Sequence, residues 1–66
     1  MQLTINGRRE EVGQVTTLPE LLAGRNLPEQ QVVIELNGEI VPRERWAAVV
    51  LQPEDALEIL RFVGGG

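Results

Sequence analysis

The absence of both cysteine and histidine from a chain of 66 residues most constrains what this protein can fold into. A domain of this size buries a thin core that supplies only about 3–5 kcal/mol, and many such domains rely on disulfides or a bound metal. Without thiol or imidazole side chains, neither device is available here. The hydrophobic fraction of 42% is ordinary for a globular protein. We therefore expect one small domain held together by regular secondary structure around a single core.

The same missing side chains limit the chemistry that the chain can perform. Tyrosine is also absent, and all six positive charges are arginines. The adjacent carboxylates Glu10-Glu11 and Glu54-Asp55 are the best candidates for acid–base catalysis, but such pairs usually form a solvated surface. We therefore expect no enzyme active site, no metal site and no cofactor of the chain's own.

Charge and hydropathy exclude two classes of partner. A net charge of −4 is unsuited to binding a phosphate backbone, so we expect no nucleic acid. No apolar run reaches membrane-spanning length, and the start of the chain lacks a charged region followed by an apolar stretch. We expect a cytoplasmic protein that is a monomer when no partner is bound.

Two Asn-Gly dipeptides, which favour type I′ turns, divide much of the sequence into strands. Asn6-Gly7 predicts a hairpin between Leu3-Thr4-Ile5 and a strand at roughly Arg9 to Val12. Asn37-Gly38 separates a strand at 31–36 from a short one at 39–41, which Pro42 limits. Alternation places these side chains in the core: Leu3, Ile5, Val12, Val32, Ile34 and Leu36.

A short helix is predicted after the first hairpin. Thr17 and Glu20 have the spacing of a capping box, and Pro19 is tolerated in the first turn. Gly24 or Asn26 offers a stop before Pro28. The leucines that share one face at helical spacing are Leu18, Leu21 and Leu22.

The rest of the chain predicts a helical turn at 43–47, a turn at 52–55 and a last strand at 56–63. Trp46 is expected to pack on the core. In the last strand Leu57 and Ile59 are assigned to the interior, because Glu58 shares its face with Leu60 and Phe62. Leu60 and Phe62 would then form an exposed apolar patch, which we predict to be a docking surface for a partner protein.

These elements predict an α+β fold, with a mixed sheet of four to five strands packed on one short helix. The first and last strands would lie side by side and parallel, with the helix in the crossover. This is the ubiquitin-like β-grasp arrangement, and we assign it to residues 1–63. Residues 64–66 are predicted to be a flexible glycine tail that reaches roughly 10 Å and enters a cleft too narrow for side chains.

The chain resembles the ThiS family of sulfur carriers in thiamine thiazole synthesis. The resemblance rests on Asn37 to Trp46, on Leu57 to Val63 and on the glycines, and it extends over the whole chain. One departure is visible, since the turn before the last strand usually reads Gly-Asp in the family and reads Glu54-Asp55 here. The departure concerns only the geometry of this turn, which Pro53 can organise without glycine.

The resemblance implies a specific chemistry at the end of the chain. A ThiF-like adenylyltransferase would use ATP and magnesium to adenylate the Gly66 carboxylate. Sulfur from a cysteine-derived persulfide would then replace AMP and leave a thiocarboxylate for a ThiG-like thiazole synthase. Gly64 and Gly65 would be the part of the tail that threads into the partner's active site.

Other functions remain open at this point. A MoaD-like carrier for molybdopterin synthesis would use the same tail chemistry with another acceptor. A ubiquitin-like modifier would join Gly66 to a target lysine, although chains linked through its own lysines are impossible because the sequence has none. An interaction module with an inert tail is the alternative from a different class.

Overall fold

The computed structural model describes residues 1–14 and 16–62, which form one sheet, one α-helix and two short 3-10 helices. The 3-10 helices span Glu29–Gln31 and Arg43–Ala48. The remaining elements are β1 (Gln2–Ile5), β2 (Arg8–Glu11), α1 (Leu18–Gly24), β3 (Val32–Leu36), β4 (Glu39–Ile40) and β5 (Ala56–Arg61).

The last strand, β5, lies at the centre of the sheet, whose order is β2-β1-β5-β3-β4. It runs parallel to β1, where Thr4 pairs with Ala56 and Ile5 with Leu57. It runs antiparallel to β3 along that strand's full length. The predicted mixed sheet with parallel first and last strands is confirmed. Helix α1 lies in the connection between β2 and β3.

Both Asn-Gly turns have the backbone that the sequence predicts. Asn6 and Gly7 have φ of 52° and 82°, and Asn37 and Gly38 have φ of 52° and 90°. Two consecutive residues at positive φ define the type I′ turn, which Asn-Gly accommodates with little strain. Ile5 pairs with Arg8 across the first turn, so β2 begins and ends one residue earlier than predicted.

The capping box of α1 is present. The Glu20 carboxylate accepts hydrogen bonds from the Thr17 amide at 2.9 Å and the Thr17 hydroxyl at 3.0 Å. These bonds favour the ionised carboxylate and lower the pKa of Glu20 below its ordinary value of 4.5. The helix ends at Gly24, and Asn26 follows in the left-handed region with φ of 58°.

A single core fills the space between the sheet, α1 and the second 3-10 helix. Trp46 is 2% exposed, and its Nε1 donates a hydrogen bond to the Val41 carbonyl at 2.9 Å, so its predicted packing role is confirmed. Val12 and Leu36 are partly buried and pack against the core. The buried hydrophobic side chains are Leu3, Ile5, Leu18, Leu21, Leu22, Val32, Ile34, Trp46, Leu51, Leu57 and Ile59.

Several predicted bounds were wrong by one or two residues. Strand β3 begins at Val32 because Gln31 belongs to a 3-10 helix that the sequence analysis missed. Strand β4 ends at Ile40, before Pro42, and β5 ends at Arg61. Over residues 1–14 and 16–62, no helix is long and apolar enough to cross a membrane.

Candidate functional site

The candidate site is the end of β5, where the two faces of the strand differ sharply in burial. Leu57 and Ile59 are only 1% and 7% exposed, whereas Leu60 and Phe62 are 57% and 51% exposed. The predicted division of this strand into an interior face and an exposed face is therefore confirmed. The docking role of Leu60 and Phe62 stays a prediction.

The hydrogen bonding between this part of the chain and the β3 side of the sheet continues one residue beyond both strands, from Phe62 to Gln31. The Phe62 amide donates to the Gln31 carbonyl at 3.0 Å, and the Arg61 guanidinium reaches the Gln31 side-chain oxygen at 3.4 Å. These are the last anchors of the strand within the described residues. The predicted reacting residue, Gly66, and the predicted threading residues, Gly64 and Gly65, lie outside the described residues.

An asparagine side chain ends the pairing of β5 with β1. Asn6 Oδ1 accepts a hydrogen bond from the Ile59 amide at 2.7 Å, and Asn6 Nδ2 donates to the Ile59 carbonyl at 3.2 Å. The Asn6 backbone amide donates to the Leu57 carbonyl at 2.9 Å. The side-chain amide thus supplies the donor and acceptor that a further strand residue would have supplied. Sequence reasoning assigned Asn6 a turn role only.

The second turn asparagine holds the other end of β5. The Asn37 amide donates to the Ala56 carbonyl at 2.7 Å, and Asn37 Oδ1 accepts from the Ala56 amide at 2.9 Å. Asn37 Nδ2 also donates to Asp55 Oδ1 at 3.0 Å. Both Asn-Gly turns therefore fix the position of the central strand as well as reversing the chain. In the sequence, the only indication of this second role is that each turn has asparagine, whose side chain can both donate and accept hydrogen bonds, at its first position.

The turn before β5 contains a strained residue, Glu54, at the point where the sequence departs from the pattern of the family that it resembles. Glu54 has φ of 70°, a region that residues with a Cβ rarely adopt. Its amide donates to the Gln2 carbonyl at 2.7 Å, and Arg9 binds its carboxylate at 2.9 Å. The hydrogen bond from Arg9 lowers the pKa of the Glu54 carboxyl. Glutamate therefore keeps the backbone conformation that glycine would adopt without strain.

The carboxylates that the sequence offers for acid–base chemistry have partners within the domain. Within residues 1–14 and 16–62, no three carboxylates are grouped so that they could hold a metal ion. Glu10 of the candidate pair Glu10-Glu11 forms an ion pair with Arg25. Glu54 is bound to Arg9, and Asp55 caps its own turn by accepting from the Gln52 amide at 2.8 Å. These carboxylates have structural partners.

The topology defines the class of the protein. A five-stranded mixed sheet of order β2-β1-β5-β3-β4, with parallel central strands β1 and β5 and a helix in the connection between them, is the ubiquitin-like β-grasp fold. The structure of a thiamine biosynthesis protein, ThiS, from Geobacter metallireducens is similar, with a TM-score of 0.85 and 38% identity over 100% of both chains.

The sequence comparisons identify the family. The model of the ThiS family matches residues 2–66, and the chain belongs to that family. The sulfur carrier protein ThiS of Bacillus subtilis is 40% identical over 65 residues, which are 97% of this chain and 98% of that protein. The thiazole synthase of Magnetococcus marinus is 38% identical over 66 residues. The chain spans 20% of the length of that thiazole synthase and of the one from Paramagnetospirillum magneticum.

Proposed function

We propose that this chain is a sulfur carrier protein of thiamine thiazole biosynthesis, and that Gly66 carries the sulfur as a thiocarboxylate. The observation that carries the proposal is the ThiS family match over residues 2–66 on a β-grasp domain whose central strand leads towards Gly64–Gly66. The chain acts as a protein co-substrate in the cytoplasm, and the catalytic groups belong to its partners.

The first step activates the Gly66 carboxylate. A carboxylate is a poor electrophile because its negative charge is delocalised and its leaving group would be an oxide. A ThiF-like adenylyltransferase supplies ATP and magnesium, and the carboxylate attacks the α-phosphate and displaces pyrophosphate. The resulting acyl-adenylate has AMP as a good leaving group.

The second step replaces AMP with sulfur. The terminal sulfur of a cysteine-derived persulfide attacks the acyl carbon, AMP leaves, and an acyl disulfide forms. A second thiol then attacks the donor's sulfur, which releases the Gly66 thiocarboxylate and leaves a disulfide on the donor side. This chain has no cysteine, so both thiols come from other proteins or small thiols.

Glycine is suited to the positions before the reacting residue. Gly64 and Gly65 lack Cβ atoms, so a channel that closes around the backbone admits them and excludes larger residues. From Phe62, the last described residue, four further residues span at most about 14 Å when extended. This length is sufficient for Gly66 to enter a partner's active site while the body of the domain stays at the partner's surface.

Leu60 and Phe62 provide the docking contacts in this proposal. Both side chains are more than half exposed; Leu60 lies in β5, and Phe62 is the first residue after it on the way to the glycines. Burying them against a partner removes apolar surface from water and fixes the direction in which the chain leaves the domain.

The acceptor of the sulfur is a ThiG-like thiazole synthase. Support comes from the thiazole synthases whose sequences include a region similar to this whole chain. A carrier-like region within the same polypeptide as the synthase raises its effective concentration at the acceptor site. This arrangement fits a carrier that delivers its cargo to that enzyme.

The test is to incubate the protein with ATP, magnesium, a ThiF-like adenylyltransferase and a persulfide donor, and then to measure the mass of its C-terminal fragments. We expect sulfur to replace one oxygen of the Gly66 carboxylate. Fragment masses are needed because oxidation of Met1 or Trp46 changes the intact mass almost equally. An unmodified Gly66, with the same enzyme active on another carrier, would contradict the proposal.

Glycine variants separate the tail from the fold. Gly65→Val is expected to abolish sulfur loading without changing the melting temperature. Gly24→Ala is the matched control, because a Cβ at Gly24 meets nothing within 4 Å and its φ is not positive. This control is expected to load sulfur as the unmodified chain does. Full loading of Gly65→Val would contradict the threading role.

A further inference from the structure

One edge of the sheet is open to a further strand. Strand β2 stands at the end of the order β2-β1-β5-β3-β4, and within residues 1–14 and 16–62 it pairs with β1 only. The other edge strand, β4, has two residues and is soon followed by Pro42, which has no amide hydrogen to donate. The edge that can accept another strand is therefore β2.

The residues of β2 whose backbone faces outward are Arg9 and Glu11. Backbone groups in an antiparallel pair point alternately towards the partner strand and away from it. The Val12 amide donates to the Met1 carbonyl at 2.9 Å, so Val12 and the alternate residue Glu10 direct their backbone groups towards β1. The amides and carbonyls of Arg9 and Glu11 consequently point away from the sheet, and these two residues have opposite charges.

The order of these charges restricts how two copies of this edge can pair. When a two-fold axis relates two antiparallel strands, outward-facing residues must lie opposite outward-facing residues. Pairing Arg9 with Glu11 of the second copy places opposite charges together on both sides of the axis. The neighbouring registers place Arg9 opposite Arg9, or Glu11 opposite Glu11, and like charges directly opposite each other destabilise a sheet. The edge is therefore complementary to itself in the register that joins Arg9 to Glu11.

The ion pairs within each copy continue across the axis in this register. Arg9 and Glu11 share one face of β2. On that face the Arg9 guanidinium binds the Glu54 carboxylate at 2.9 Å, and the Met1 ammonium binds the Glu11 carboxylate at 2.6 Å. Joining Arg9 to Glu11 of the second copy produces a row of alternating charge, which begins at Glu54 and ends at Met1 of that copy. Each charge in the row then has neighbours of the opposite sign only.

The other face of β2 brings the two Glu10 side chains together at the axis. Each Glu10 carboxylate forms an ion pair with Arg25 of its own chain, the residue that follows α1. Arg8 lies on the same face as Glu10, and in this register it stands diagonally across from Glu10 of the second copy, within reach of a long side chain. Arginines of both copies therefore offset the repulsion between the two carboxylates.

We propose that this chain forms a weak symmetric dimer through β2, in which Arg9 of each copy exchanges backbone hydrogen bonds with Glu11 of the other. The partner is a second copy of the chain, so the inference goes beyond the proposed function and does not depend on it. Because β1 and β2 separate β5 from the axis in each copy, the two β5 strands lie about 24 Å apart and run in opposite directions. Leu60 and Phe62 of both copies stay exposed in this dimer.

Sedimentation equilibrium of the 66-residue chain at about 0.15 M salt tests the proposal, because such salt screens the net charge of −4 on each copy. We expect a dissociation constant of about 10⁻⁴ M, since a short edge and exposed ion pairs hold the copies together. At micromolar concentrations the chain would then be the monomer that the sequence analysis expects. In NMR spectra the amide signals of Arg9 and Glu11 should shift as the concentration rises, and that of Ile40 in β4 should not.

Two charge reversals separate the interface from the fold. Glu11→Arg leaves both outward positions positive, and Arg9→Glu leaves both negative. Each variant alone is expected to raise the dissociation constant at least about tenfold. An equal mixture of the two should form a heterodimer about as tightly as the unmodified chain dimerises, because each outward position then faces the opposite charge.

Glu44→Arg is the matched control, at an exposed position in the second 3-10 helix. It changes the net charge by the same amount as Glu11→Arg and should dimerise at least as tightly as the unmodified chain. Mixed with Arg9→Glu, it should form no heterodimer, because Glu11 would then face a second negative charge. Urea denaturation of every variant shows that it is folded, since each reversal in β2 removes an exposed ion pair within the chain.

Three results would overturn the inference. The unmodified chain would remain monomeric up to about 1 mM, ten times the expected dissociation constant. Alternatively, Glu11→Arg would leave the dimer intact, or the amide shifts on dimerisation would lie outside β2. The third is that the folded variants Glu11→Arg and Arg9→Glu remain monomeric when they are mixed. The measurements on the unmodified chain decide the question even if one reversal prevents folding.

Discussion

The two hydrogen bonds between the Asn6 side chain and Ile59 provide a direct test of how the central strand is held. Asn6→Gly keeps the backbone free to adopt φ of 52° and removes only the side-chain amide. Each neutral hydrogen bond contributes about 0.5–1.5 kcal/mol net, so two contribute about 1–3 kcal/mol. A domain of this length has a total stability of about 3–10 kcal/mol, so the loss would be a large fraction of it.

Asn26→Gly is the matched control for this substitution. Asn26 also has positive φ, at 58°, and is exposed. Its backbone amide bonds to Ala23, and its side chain makes no hydrogen bond with the described residues. The control therefore includes the change in unfolded-state entropy that Asn→Gly introduces, and we expect its cost to be below about 1 kcal/mol.

Urea denaturation at neutral pH would give the free energy of unfolding of both variants. We expect Asn6→Gly to be less stable than Asn26→Gly by about 1–3 kcal/mol. Asn6→Ala should cost about 1–2 kcal/mol more than Asn6→Gly, because alanine is strained in the left-handed region. Equal stability of Asn6→Gly and Asn26→Gly would refute the argument that the side-chain amide anchors β5.

Three further predictions concern the turn, the helix cap and the exposed face of β5. Glu54→Gly should raise the stability measured by urea denaturation, because relief of strain at φ of 70° outweighs the loss of an exposed ion pair; a loss of stability would contradict this. Glu20 has a lowered pKa in the folded state, so its contribution to stability is present at neutral pH and is lost as pH falls below 4.5. Glu20→Gln should therefore be less stable than the unmodified chain at neutral pH, with the difference shrinking in acid, whereas a difference independent of pH would exclude the ionised cap. Phe62→Asp should weaken activation by the adenylating enzyme and leave the melting temperature nearly unchanged, whereas Leu57→Asp should unfold the domain; equal destabilisation by both would mean that Phe62 belongs to the core.

The sequence was sufficient for the parts of the fold that depend on local patterns. Asn6-Gly7 specified a two-residue turn, and Thr17 with Glu20 specified the start of α1. Alternation of apolar and polar side chains placed Leu57 inside and Leu60 outside. In each case the signal lies within a few residues, so it can be recognised without knowledge of the tertiary structure.

The features that the sequence did not reveal depend on contacts between distant segments. Asn6 and Ile59 are 53 residues apart, and nothing near Asn6 indicates that its side chain pairs with a strand. Leu51 is fully buried, and its amide donates to the carbonyl of Thr16, 35 residues earlier in the chain, at 3.0 Å. The positive φ of Glu54 contradicts its local preference, since the pairing on both sides of the turn determines its backbone.

Only part of the candidate site could be predicted from the pattern of residues alone. The exposure of Phe62 followed from the strand pattern and is confirmed by the structure. The reactive role of Gly66 and the partners named for it came from the resemblance to the ThiS family. A stretch of glycines does not identify a chemical reaction, so this role depends on direct measurement.

The most direct measurement follows a heavy sulfur isotope from the persulfide donor to Gly66 and then to the product of a ThiG-like thiazole synthase. We predict that the isotope appears in the C-terminal fragment after activation and leaves it, mole for mole, as labelled thiazole forms. The account would be contradicted if Gly66 acquires no label while the same enzymes load another carrier. It would also be contradicted if labelled Gly66 keeps its sulfur while an active synthase makes thiazole from that other carrier.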